Sequence, residues 1–201
     1  MAALNADSTI TDGAHMRMTV RTLPAPGDSA RAAAIVAALR PTMARYTDYR
    51  QALADGYRIF LPKIPQPHYH FTNRRNAIAA QFRFDPAAPT SLLYEKTGDS
   101  SYRLIGAMYT APRSASLAQL DARVPLSIAQ WHEHIAWCLP FTPAHRAITT
   151  EAACRAAGGR FLPQVFGWMV HVHPDAPDPA AVWGPEEMQN MSDMHGMPGM
   201  H

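Results

Sequence analysis

The sequence predicts an α+β fold: N-terminal helices packed on a mainly antiparallel β-sheet, with a flexible Met/His-rich C-terminal tail. Three observations lead there. An alanine-rich stretch preceded by capping residues fills much of residues 28–55. From residue 57 onward, short runs of aromatic and aliphatic residues are separated by Pro, Gly and Asp, as in a strand-and-turn protein. Two such runs, 91–96 and 102–109, flank Thr97-Gly98-Asp99-Ser100-Ser101 and form the clearest hairpin. At 201 residues, with 18 Pro and 11 Gly, the chain is expected to be one loop-rich domain.

Taken in order, residues 1–27 are polar, end in Pro24-Ala25-Pro26-Gly27, and read as a flexible lead-in. Asp28 or Ser29 caps a helix expected to reach Arg40, where Pro41 interrupts it. A second helix is expected from Thr42 to Asp55, closed by Gly56. Tyr57–Leu61 and His68–Thr72 read as strands, and Ala77–Phe84 as a further, alanine-diluted strand. Residues 111–123 are a polar connection with room for a helical turn, and Val124–Trp137 is the next strand. Thr149 or Thr150 caps a short helix from Glu151 to Ala157, stopped by Gly158-Gly159. Val165–His173 is the last strand. The domain is thus expected over residues 28–174, with residues 175–201 a loosely ordered tail rich in Pro, Asp and Met.

Composition excludes some functions. A net charge of +2 leaves no basic stripe for nucleic acid. No apolar run is long enough to span a bilayer. Cys138 and Cys154 lack a Cys-x-x-Cys spacing. A disulfide between them would close a loop of about 15 residues and contribute roughly 3 kcal/mol. Two buried thiols, or Cys138 as a metal ligand near His134, are the other readings.

The histidines carry the functional signal. Ten are present, and most fall in three His-x-His pairs: His68 and His70, His132 and His134, His171 and His173. On a strand, residues i and i+2 share a face; on a helix they diverge. In the middle pair, Trp131, Glu133, Ile135 and Trp137 are expected on one face, with His132, His134, Ala136 and Cys138 on the other. In the last pair, Trp168, Val170 and Val172 alternate with Met169, His171 and His173. Pro174 draws His173 out of the sheet, and Pro67 leaves His68 at a strand start. The expected metal ligands are therefore His70, His132, His134 and His171. Glu133 is expected on the opposite face, a poor ligand that could reach the site as an acid only where the strand twists. The bland alternative is ordinary histidines hydrogen-bonded in a polar cleft.

The tail adds a soft-ligand signal. Met188, Met191, Met194, Met197 and Met200 recur every third residue, with His195 and His201 among them and no Leu, Ile, Val or Phe to pack against. Imidazole with thioether points to copper, zinc or iron being alternatives. His15-Met16-Arg17-Met18 has similar composition. An exposed thioether tail is a liability where free copper is kept scarce. The expectation is thus a periplasmic or secreted protein whose leader is absent from this chain, with a cytoplasmic location as the alternative; the start, Met1 to Asp7, lacks the basic and apolar regions of a signal peptide.

The combination Trp131-His132-x-His134, Cys138-Leu139-Pro140, Gly158-Gly159-Arg160-Phe161 and Phe166-Gly167-Trp168-Met169-Val170-His171 resembles a group of uncharacterised exported bacterial proteins, over about residues 42–174. That resemblance implies export and no particular activity. The His-x-His spacing is also similar to the first cupin motif, whose downstream Glu and flanking glycines are missing here. The leading expectation is a copper-binding protein that sequesters or delivers the ion, its partners being the metal ion and another copper-handling protein. The alternative is a mononuclear His-ligated metalloenzyme, oxidative or hydrolytic.

Overall fold

A computed structural model describes residues 9–12, 14–140 and 142–184. Its centre is one sheet of eight strands: β1 (Thr9–Asp12), β2 (Met16–Thr19), β3 (Tyr57–Ile59), β4 (Tyr69–Asn73), β5 (Ser91–Gly98), β6 (Ser101–Ala111), β7 (His132–Leu139) and β8 (Arg160–Val172). Their spatial order is β1-β2-β7-β8-β6-β5-β4-β3, and every neighbouring pair is antiparallel. The fold is mixed α+β and dominated by the sheet. Among the described residues no helix is long and apolar enough to cross a membrane.

The main helix, α1 (Asp28–Arg45), lies on one face. Ala32, Ile35, Leu39 and Met43 recur at helical spacing and are buried with Trp131, Trp168, Val170 and Val172. Pro41 was expected to end this helix and does not. Leu39 and Met43 anchor the turns on either side of it in the core, and their burial offsets the about 3 kcal/mol an internal proline costs. The break comes at Tyr46–Asp48 instead, where the Asp48 side chain accepts the Arg50 N–H and starts α2 (Tyr49–Ala54). On the same face, Tyr57, Phe71, Leu92 and Tyr94 form an aromatic cluster with Ala52.

Two further expectations are corrected and one is extended. Ala77–Phe84 is not a strand: α3 (Arg74–Ala79) forms there because Asn73 Oδ1 caps the Arg75 and Asn76 N–H groups and alanine favours helix. Residues 111–123 hold α4 (Leu117–Arg123), opened by a Ser116–Gln119 capping box. The strand expected from Val124 begins only at His132, since Pro125 accepts the Ile128 and Ala129 N–H groups in a turn. The hairpin β5–β6 and the helix α6 (Glu151–Ala156), which follows α5 (Pro143–Arg146), agree with the sequence.

The packed chain also extends past residues 28–174. β1 and β2 add two strands at one edge of the sheet. After β8, Arg40 binds Asp175 and the Pro174 carbonyl, His173 N–H donates to Val182, and Trp183 is buried in the main core. The methionines and histidines of the tail lie outside the described residues.

Strand β7 carries an internal kink. Ala136 adopts φ 56°, in the left-handed region. Strict alternation fails there, and the Trp137 ring lies 5.3 Å from the His134 ring rather than on the face of Trp131 and Glu133. A left-handed L-residue costs about 1–2 kcal/mol, which glycine relieves at some entropic cost. Ala136→Gly is therefore expected to stabilise the protein by about 0.5–1 kcal/mol, read as a raised melting temperature; a lowered one would show that the alanine methyl group matters more than the strain.

Candidate functional site

The histidines occupy the sheet face opposite α1. On β8, Trp168, Val170 and Val172 point into the helix-side core, while Met169 and His171 point the other way. The same alternation turns His70 away from Tyr69 and Phe71 on β4, and His132 away from Trp131. His132 and His171 are almost fully buried, each 5 % exposed; His70 and His134 are half-buried.

Sheet curvature brings them together. β5 and β6 separate β4 from β8. At the usual strand spacing a flat sheet would hold β4 and β8 about 14 Å apart. Yet the His70 and His171 ring centroids are 5.6 Å apart. His171 to His132 is 4.9 Å and His132 to His134 is 5.8 Å. The histidine face is thus the concave one. Leu93, Met108 and Met169, from β5, β6 and β8, form a small buried floor between them. The rims also meet: Phe60, beside β3, lies 5.4 Å from Phe166 of β8, although three strands intervene.

The four histidines expected from three distant segments therefore share one hollow. Two imidazoles on one tetrahedral ion have centroids about 5 Å apart, given metal–nitrogen bonds of about 2.1 Å. The observed spacings bracket that value. The rings are inclined to one another by 50°, 58° and 79°, and among the described residues no group of three or more His, Cys, Asp or Glu is placed to hold a metal ion.

No family model matches this chain. No curated protein and no solved structure matches it either.

The other members of the pairs go elsewhere. His68 precedes β4. His173 follows β8, and its Nδ1 lies 3.1 Å from the Ile105 carbonyl oxygen. Glu133 is fully buried on the helix side, where it pairs with Arg17 and accepts a hydrogen bond from Gln164. That arrangement removes it as an acid near the histidines. Cys138 and Cys154 lie at disulfide distance, S–S 1.98 Å, which takes Cys138 out of the ligand set. Sequence reasoning placed Met169 beside His171 but not the methionines of β2 and β6. The signal was present as Met16-x-Met18, the same i, i+2 spacing as the histidine pairs.

Burial, reinforced by the nearby His70 ring, pushes the His134 imidazole down to about 4. It is thus neutral at pH 7, the form a metal ligand requires. Because the folded value lies below the unfolded value of about 6.5, the metal-free protein keeps its full stability above that pH. Stability then falls as the pH drops towards 4, by about 3 kcal/mol in all from this group. Urea unfolding midpoints at pH 7 and pH 4.5 should differ less in His134→Gln than in the parent. Equal differences would assign the acid sensitivity to other groups.

Proposed function

We propose that this protein binds copper outside the cytoplasm, through His70, His132, His134 and His171 on the concave sheet face, and sequesters or delivers the ion. The observation that supports this most is proximity. Residues far apart in sequence, on β4, β7 and β8, bring their imidazoles to within 4.9–5.8 Å in a chain of neighbours. Neutral imidazole suits copper, zinc, iron and nickel alike, so the preference for copper rests on the methionine-rich tail. Loading requires the rings to turn about their side-chain torsions until their nitrogens converge. The paired cysteines accord with an oxidising compartment.

A mononuclear His-ligated enzyme, oxidative or hydrolytic, is the second reading; it would need a substrate cleft beside the ligands, which a carrier does not. The test is elemental analysis of protein purified without added metal, followed by competitive titration with Cu(I) and Cu(II). The expected result is retained copper and affinity well below micromolar. Metal-free protein that binds neither ion more tightly than about millimolar would overturn the reading.

A further inference from the structure

Each of the three histidines on β7 and β8 has a methionine directly across a strand. Met18 of β2 faces His132, and so does Met169 of β8 from the other side. Met108 of β6 faces His171, and Met16 of β2 faces His134. Residues opposed across neighbouring strands share a face, with Cβ atoms about 4.5–5.5 Å apart. Met18, Met108 and Met169 are 4 %, 6 % and 5 % exposed. Met108 and Met169 have apolar company in Leu93. Met18, also buried, lies between Ile10 of β1 and His132 of β7. Buried Leu or Val would be the ordinary filler beside a strand histidine. A thioether on either side of one imidazole adds soft donors to a site that is otherwise indifferent between metals.

We propose that Met18 and Met169, which flank His132 from the two neighbouring strands, are thioether ligands that join His132 and His171 in a site selective for Cu(I). The inference rests on the histidines binding a metal, and it names the oxidation state and the donor set. Cu(I) accepts low coordination numbers and mixed nitrogen and thioether donors. Cu(II) prefers tetragonal nitrogen and oxygen, and Zn(II) prefers imidazole, thiolate or carboxylate over thioether. The site thereby acquires its own preference for Cu(I), separate from the tail.

The test uses the full chain with its tail methionines Met188, Met191, Met194, Met197 and Met200 changed to Leu, so that only sheet thioethers remain. Met18→Leu with Met169→Leu, which conserves volume, is added to it. Affinities for Cu(I), Cu(II) and Zn(II) are then measured separately. Cu(I) affinity should fall roughly tenfold to a hundredfold, while those for Cu(II) and Zn(II) change by less than about twofold. Unchanged Cu(I) affinity, or an equal fall for all three ions, overturns the thioether proposal and leaves the histidine site standing. Parent protein that binds none of the three ions refutes the histidine reading itself. A selenium K-edge spectrum of the selenomethionine-labelled protein carrying the tail Met→Leu changes, loaded with Cu(I), gives a second check: copper at bonding distance from selenium, lost in Met18→Leu with Met169→Leu, supports the proposal, and its absence overturns it.

Discussion

Replacing His132 and His171 together by Gln is expected to lower Cu(I) affinity of the sheet site by about a thousandfold or more. Their rings are the closest pair of the cluster, 4.9 Å apart, and both are buried. They come from adjacent strands held in fixed register through His132↔Met169 and Met108↔His171. A site of three or four protein ligands distributes a binding free energy of about 10–16 kcal/mol among them, so losing two removes several kcal/mol. Gln keeps similar volume and hydrogen-bonding capacity, which limits damage to the fold. The measurement is competition with a chromophoric Cu(I) chelator in the tail Met→Leu background, with circular dichroism as the folding control. Affinity indistinguishable from the parent's in a folded variant would remove these two histidines from the site.

The second large effect concerns stability. Cys138→Ala with Cys154→Ala should destabilise the protein by about 3 kcal/mol, through the entropy of a loop whose ends are 16 residues apart. For a chain of this length that corresponds to a melting temperature lower by roughly 6–12 °C. The link joins the end of β7 to α6, and both cysteines are fully buried. The turn leaving α6 is built tightly against it: a Cβ on Gly159 would stand 2.5 Å from Cys138 Sγ and 2.8 Å from the Leu139 carbonyl oxygen. Gly159→Ala should therefore also destabilise, although it keeps both cysteines. Calorimetry of the parent with and without reductant gives an independent check. A melting temperature unmoved both by reduction and by the double substitution would show that the packing of α6 on β7 and β8 suffices.

The sequence made the histidine faces legible because strand alternation is local. Trp168-Met169-Val170-His171-Val172 declares its two faces without any knowledge of its neighbours, and the structure agrees. Strand order and curvature are not local. Nothing in residues 68–72 says that two strands will lie between His70 and His171, or that the sheet will curl enough to erase that separation. Alternation also misled where the backbone leaves the extended region: Ala136 moved Trp137 to the histidine side, and no residue type marks that position, since glycine is absent from it. Pro41 misled in the opposite sense, because the core held by Leu39 and Met43 outweighs a local breaker. β2 escaped notice because four residues, Met16 to Thr19, are too few to declare a strand until β7 pairs with them.

That pairing matters most for the proposed metal site, because it sets Met18 against His132 and Met16 against His134. The methionine and histidine signals, which looked like separate properties of the tail and the body, meet on one sheet face within the described residues.

The most direct measurement is the copper K-edge X-ray absorption spectrum of the full chain loaded with substoichiometric Cu(I). The expected spectrum shows multiple scattering from more than one imidazole together with sulfur at bonding distance. The imidazole signal should be lost in His132→Gln with His171→Gln. A spectrum of sulfur scatterers alone, unchanged by that double substitution, would put the ion on the methionine tail and contradict a metal site on the sheet.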